Sequence, residues 1–288
     1  TGDTEERVVW LQKTMTIHDN AGTAQSDRSR YLAASAATEL ADRSFNTFSQ
    51  LRLVHPIEKS LSAKKSAMES ALAGYTRCNG YAVEQFITRC TYRLGLVYQQ
   101  FATELIDSER PSGLDALALE QYEFMLEEQA YPFEEKAIAL HEANALRCRE
   151  GLYDSWVQDS FASLEQLLPA RYRKHEVEAV EQLVIAAQVS GERSRKVKAF
   201  NHEGIELRQE GDFSAAEQAY QSALQEAGDD AVTHHNIGIL YDLYLGEPDK
   251  AVFHYQRYQD ITGGDDRAVA GWIADLDRRH MRPAEEVM

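Results

Sequence analysis

Two stretches near the C-terminal end repeat one spacing of small and large residues, and this repeat restricts the fold more than any other feature. The first reads Phe200-x3-Gly204-x2-Leu207-x3-Gly211-x-Phe213-x2-Ala216-x3-Tyr220-x2-Ala223. The second reads His234-x3-Gly238-x2-Tyr241-x4-Gly246-x4-Ala251-x3-Tyr255-x2-Tyr258, with one extra residue before Gly246. Gly204 and Gly238 lie 34 residues apart. A period in this range is the mark of stacked helical hairpins. A small residue at Gly204 or Gly238 lets one helix approach the next closely, and Ala216 and Ala251 do the same from the facing helix. Phe213, Tyr220 and Tyr255 then fill the spaces between. A bulky side chain at Gly204 should overpack that contact by roughly 1–3 kcal/mol.

The rest of the chain is punctuated like a helical protein. Its six prolines, Pro56, Pro111, Pro132, Pro169, Pro248 and Pro283, stand where apolar periodic runs start or stop. Proline costs about 3 kcal/mol inside a helix, so this placement predicts helix boundaries. Between breaks, apolar residues recur at three and four, as in Ala37, Ala41, Phe45, Phe48 and in Tyr98, Phe101, Leu105. Helices are expected near 4–18, 26–54, 57–77, 83–108, 114–129, 132–149, 154–168, 173–190, 194–210, 213–227, 231–244, 248–261 and 266–280. Short loops between them predict antiparallel neighbours. The expected fold is all-α: a right-handed α-solenoid of antiparallel helix pairs with a C-terminal capping helix from Ala268 to Arg279. The domains follow as divergent helical repeats over 1–192, then two well-matched units and the cap over 193–288.

Composition narrows the role. The 288 residues carry 30 Lys and Arg against 47 Asp and Glu, a net charge of −17. Phosphate-backbone binding depends on clustered positive charge, so nucleic acid and anionic membrane surfaces are not expected partners. Hydrophobic residues make up 43% of the chain, enough for a core. No apolar run approaches a membrane span. The chain opens at Thr1 without a Met or a leader, as a mature form or a fragment would.

The repeat resembles the tetratricopeptide repeat, a 34-residue helix-turn-helix with large, small and large residues at these offsets. Weaker copies lie at Gly95-x2-Tyr98 and at Gly271-Trp272. The segments SLSAKKSAMESALAGY (60–75), CTYRLGLVYQQFATELIDSERP (90–111), LEEQAYPFEEKAIALHEAN (126–144) and GWIADLDRR (271–279) resemble long tetratricopeptide proteins of bacterial envelopes, those encoded with TonB/Tol-type transport or gliding-motility machinery. That resemblance implies a periplasmic or periplasm-facing lipid-anchored scaffold. Without it, a cytoplasmic location stands.

Enzyme chemistry finds little footing. His141-Glu142 and His202-Glu203 begin like metalloprotease helices, but Ala145 and Glu206 stand where a second His is required. No Gly-rich phosphate loop and no nucleophile elbow occurs. Asp229, Asp230, Asp265 and Asp266 read as turn and capping residues. No catalytic residue, metal or cofactor is expected. His234 reads as a packed core histidine, while His235 should point the other way, toward the surface. Lys59, Lys64, Lys65 and Arg77 read as a solvated helix face, or else as a dock for an acidic partner. Cys78 and Cys90 could meet across the turn at Asn79-Gly80, either as a disulfide or as two small buried side chains. Cys148 reads as a buried thiol.

In a repeat array the first helix of each pair lines the concave face. The groove-facing positions are then Lys198, Asn201, Ile205 and Arg208, followed by Val232, His235, Asn236, Ile239 and Asp242. Apolar, amide and charged groups together suit an extended peptide or a partner helix. Some family members clamp a C-terminal carboxylate with two Lys, two Asn and an Arg. Here Asn236 matches one Asn, but Asn201 replaces the first Lys, Ile205 the other Asn, and the next unit offers Asp265 and Val269. That pattern argues against chaperone-tail binding. The expected function is a non-enzymatic protein–protein interaction scaffold. The alternative is a self-assembling solenoid subunit, a homo-oligomer packed through apolar residues near Trp10 or Trp272.

Overall fold

The computed structural model describes residues 2–54, 57–178 and 190–281. Among the described residues the chain is all-helical, with twelve α-helices packed in adjacent pairs and no strand. It divides into two compact units. The first comprises Thr1–Ala145 with Asp154–Leu167, and the second Leu146–Tyr153 with Leu168–Met288. The repeat places a boundary near 192. The units divide earlier, because residues 174–177 are bonded to the repeat helices.

The first unit contains α1 (Gly2–Asn20), α2 (Asp27–Gln50), α3 (Ile57–Gly80), α4 (Glu84–Ile106), α5 (Ala116–Ala145) and α6 (Ser155–Leu167). Each packs on the next. Ser26 starts α2 by accepting from the Ser29 amide while Ser29 Oγ accepts from the Ser26 amide. Phe45, Phe48, Tyr75, Val97, Phe101 and Leu105 form the buried centre, and each large apolar side chain contributes about 1.5–3 kcal/mol on burial. Cys78 and Cys90 are disulfide-bonded, tying the end of α3 to α4.

Two expectations change here. The break at Pro132 is absent, for α5 runs through it. Pro132 and Glu128, whose carbonyl loses its helical donor, are both exposed, so water can replace that bond. Leu126 and Ala130 before the proline, and Ala137 and His141 after it, are all buried, and their packing holds the helix together. Lys64 is not on a solvated face. Its side chain is 0% exposed, and Nζ donates to the carbonyls of Phe48 and Leu51 at 2.8 Å each and to Glu104 at 2.9 Å. It supplements the cap at the end of α2, where the Phe48 carbonyl also accepts from the Leu51 amide at 3.2 Å.

The second unit contains α7 (Pro169–Tyr172), α8 (Ser190–Glu210), α9 (Phe213–Glu226), α10 (Ala231–Ile239), α11 (Pro248–Thr262) and α12 (Arg267–Met281). The close approaches written into the repeat are present. A Cβ built on Gly204 would lie 2.5 Å from the Tyr220 ring, and one on Gly238 would lie 2.7 Å from the Tyr255 ring. In the first unit the same device recurs at Gly95, whose Cβ would meet the His141 ring at 2.7 Å. The extra residue of the second repeat is absorbed as a π-helical turn, Leu240–Leu245, closed by Gly246 in the left-handed region. Asp212 and Asp230 cap α9 and α10, and Pro248 takes the first position of α11.

A helix over 173–190 is not what the described part of that range shows. Arg173–Glu178 is non-helical, and 179–189 lies outside the described residues. Lys174, Glu176 and Val177 bond to groups on the repeat helices instead, and the non-helical backbone is what brings alternate side chains to that surface.

Candidate functional site

Residues 174–178 of the second unit lie along side chains from α8, α9, α10, the π turn and α12. Lys174 enters first. Its side chain is 0% exposed and its ammonium bonds the Asp242 carboxylate, itself 1% exposed. Asp242 also accepts from Arg279 Nη2 at 3.2 Å and from the Tyr255 hydroxyl at 3.5 Å. The Lys174 ammonium stands 5.0 Å from the Trp272 ring centre and 5.7 Å from that of Tyr255. Burial pushes the Lys174 pKa down, and Asp242 opposes that shift.

Two residues on, Glu176 turns inward as well, with its side chain 2% exposed. Arg208 donates to it through Nε at 2.7 Å and also through Nη2, while the Tyr220 hydroxyl donates to its other oxygen at 2.7 Å. Burial raises the Glu176 pKa, and the bonds from Arg208 and Tyr220 restrain the rise. Val177 is read through its backbone. Asn236 Oδ1 accepts from the Val177 amide and Asn236 Nδ2 donates to the Val177 carbonyl, both at 2.9 Å. Glu178 reaches His202 at 3.3 Å.

Of the nine groove positions expected from sequence, three bond this segment: Arg208, Asn236 and Asp242, while Val232 is half-buried. His235 is buried, not a surface contact. It bonds Asn236 Oδ1 at 3.2 Å and packs on Tyr258 and Trp272, so it positions the amide that grips Val177. Asn201 is buried between helices, donating to Thr233 Oγ1 at 2.5 Å. Ile205 and Ile239 are buried, and Lys198 is half-buried. His234 is buried beside His254, Nδ1 to Nδ1 at 2.8 Å. Trp272 is buried against Tyr255, while Trp10 is exposed.

Sequence reasoning missed Lys174, Glu176, Tyr220 as a donor, and Arg279. The signal for the first two is an alternation, since Lys174 and Glu176 face inward while Val177 is exposed. Hydropathy points the opposite way at every one of those positions.

Beside Asp242 a cavity of about 440 Å3 opens. Arg149, Arg171 and Arg279 line it together with Asp242, Gly246 and Leu276. Among the described residues no group of three His, Cys, Asp or Glu is placed to hold a metal ion, and no helix is long and apolar enough to cross a membrane. No family model matches the chain, and no curated protein is similar to it.

Proposed function

We propose that this protein is a non-enzymatic interaction scaffold whose helix pairs wind as a right-handed, tetratricopeptide-like α-solenoid. Its second unit holds an extended segment of a partner protein. One observation carries the reading: Asn236 takes both backbone groups of Val177. A side-chain amide that satisfies an amide and a carbonyl at once recognises extended backbone whatever its sequence, and flanking charged groups can then select side chains. The location we propose is the bacterial cell envelope, in a TonB/Tol-like or motility-associated complex. The Cys78–Cys90 disulfide supports an oxidising compartment.

The test is selection of a random peptide library on the purified chain, with an Asn236→Ala chain of unchanged helical circular dichroism as the control. Peptides enriched on wild type and lost on the control are the expected result. A library that enriches equally on both, or on neither, would sink the reading.

One observation favours self-assembly as a second reading. Leu117, Phe124 and Tyr131 recur at intervals of seven on α5 and all are exposed, with Met125 beside them. Sedimentation tests this reading. It requires an oligomer that Phe124→Glu dissociates, and a strict monomer at high concentration removes it.

A further inference from the structure

We infer that Lys174–Glu178 is an internal stand-in for the partner, so that the binding surface is self-occupied and selects strands in which a basic residue precedes a carboxylate by two positions and the next backbone unit is extended. This rests on the function proposed above and gives it a specificity and a means of control.

The recognition rule comes from what each group meets. Asp242, backed by the Tyr255 and Trp272 rings, takes the cation. Arg208 and Tyr220 take the carboxylate. Asn236 takes the backbone of the following residue. Reversing the order would set a carboxylate against Asp242 and a cation against Arg208, and each like-charge meeting in a buried site is unfavourable. The helices thus read polarity as well as composition.

The Asp242 carboxylate that takes the cation also lines a cavity of about 440 Å3, so a partner segment longer than the internal one has space at this end of the surface. Self-occupancy lowers the apparent affinity for any partner by the fraction of molecules whose surface is open.

The experiment uses the whole chain and a fluorescent peptide copying residues 169–178. A chain carrying Lys174→Ser and Glu176→Ser releases the internal strand. It should bind the peptide at least about tenfold more tightly than wild type does, and adding Asn236→Ala to it should abolish binding. Equal or absent binding to wild type and to a released chain that keeps its helicity overturns the inference. If the released chain instead loses its cooperative melting, peptide that restores the transition supports the inference, and peptide that does not shows a permanent structural strap and overturns it. A wild-type dimer that the same two substitutions dissociate would make the occupant a second copy, and also overturns it. Library peptides that bind through Asn236 without the basic-x-acidic order would leave the proposed function standing and remove this inference alone.

Discussion

Each unit buries a lysine completely, but the two lysines serve different ends. In the first unit Lys64 points at the end of α2, where it joins the Leu51 amide on the Phe48 carbonyl and also bonds the Leu51 carbonyl, and Glu104 balances its charge. In the second unit Lys174 comes from a non-helical segment and meets the Asp242 carboxylate of the π turn. Lys64 completes an element of the fold. Lys174 holds one piece of chain against another. The first unit thus uses buried charge for local closure, the second for holding a non-helical segment against its helices.

Removing the carboxylate should separate the two roles most sharply. Asp242→Ala leaves the Lys174 ammonium buried and unpaired, and loss of one partner of a buried pair costs about 3–5 kcal/mol. Glu104→Ala leaves Lys64 with two carbonyl acceptors, and the Glu104 side chain is 19% exposed, so the loss there should be nearer to about 1–2 kcal/mol. Urea unfolding of the two variants measures both. Equal losses would erase the distinction between closing a helix end and holding a segment.

The next contrast is covalent. The Cys78–Cys90 bridge lies within the first unit, while Cys148 of the second is a buried free thiol whose pKa burial raises to about 11. In the chain-entropy account a bridge across 12 residues contributes about 3 kcal/mol. Cys78→Ser with Cys90→Ser should lower the melting temperature of the first unit and leave the second unchanged, as followed by hydrogen exchange of α3 and α9. Matching losses in both would mean that the units unfold as one.

How much of this was legible in the sequence divides along the same line. The Gly204–Tyr220 and Gly238–Tyr255 contacts are local, sixteen and seventeen residues apart, and a repeated spacing exposes them. The disulfide was visible as one of two alternatives for the same reason. Lys64 had a signal that charge concealed, because Leu61, Lys64, Met68, Ala71, Tyr75 and Cys78 follow one helical face. A lysine at a core position of that face is a buried lysine, not a surface one. Pro132 misled because a single lost hydrogen bond on an exposed side is outweighed by packing on both flanks. Asn236, Arg208 and Asp242 were reachable from the repeat register. What they grip was not, since Lys174 pairs across 68 residues and Val177 across 59. No period connects such positions, and the inward residues of that segment are its polar ones.

Acid distinguishes the units through their histidines. His141 is buried against Gly95 with neither ring nitrogen hydrogen-bonded, and burial lowers its pKa from 6.5 to about 4. The folded state then binds fewer protons than the unfolded state between those values. Its contribution is present above pH 6.5, falls as pH drops through that window, and is gone below about pH 4. The loss should approach about 3 kcal/mol. His254 in the second unit is lowered to about 4 as well, by burial and then by His234. His141→Leu should therefore reduce the acid sensitivity of the first unit and leave that of the second unchanged, measured by melting temperature between about pH 7 and pH 4. A variant as acid-sensitive there as wild type would place the effect elsewhere.

The smallest effects test whether the two repeat helices begin alike. Asp212 and Asp230 are the N-caps of consecutive helices, α9 and α10, and loss of such a cap costs about 1 kcal/mol. They differ in the contacts beyond the cap. Asp212 accepts from the Ala215 amide, and the Ala215 methyl cannot extend the hydrogen bonding further. Asp230 accepts from both the Thr233 amide and the Thr233 hydroxyl, and that hydroxyl oxygen in turn accepts from Asn201 of α8. Asp230→Ala frees the hydroxyl to rotate, loosening a buried tie between α8 and α10 next to the Asn236 site. It should cost about twice as much as Asp212→Ala, on the order of 2 kcal/mol, and a double-mutant cycle with Asn201→Ala should show coupling that the Asp212→Ala cycle lacks. Two equal, uncoupled losses would mean that the caps serve only their own helices, and that the surface holding residues 174–178 draws its rigidity from Arg208, Asp242 and the rings alone.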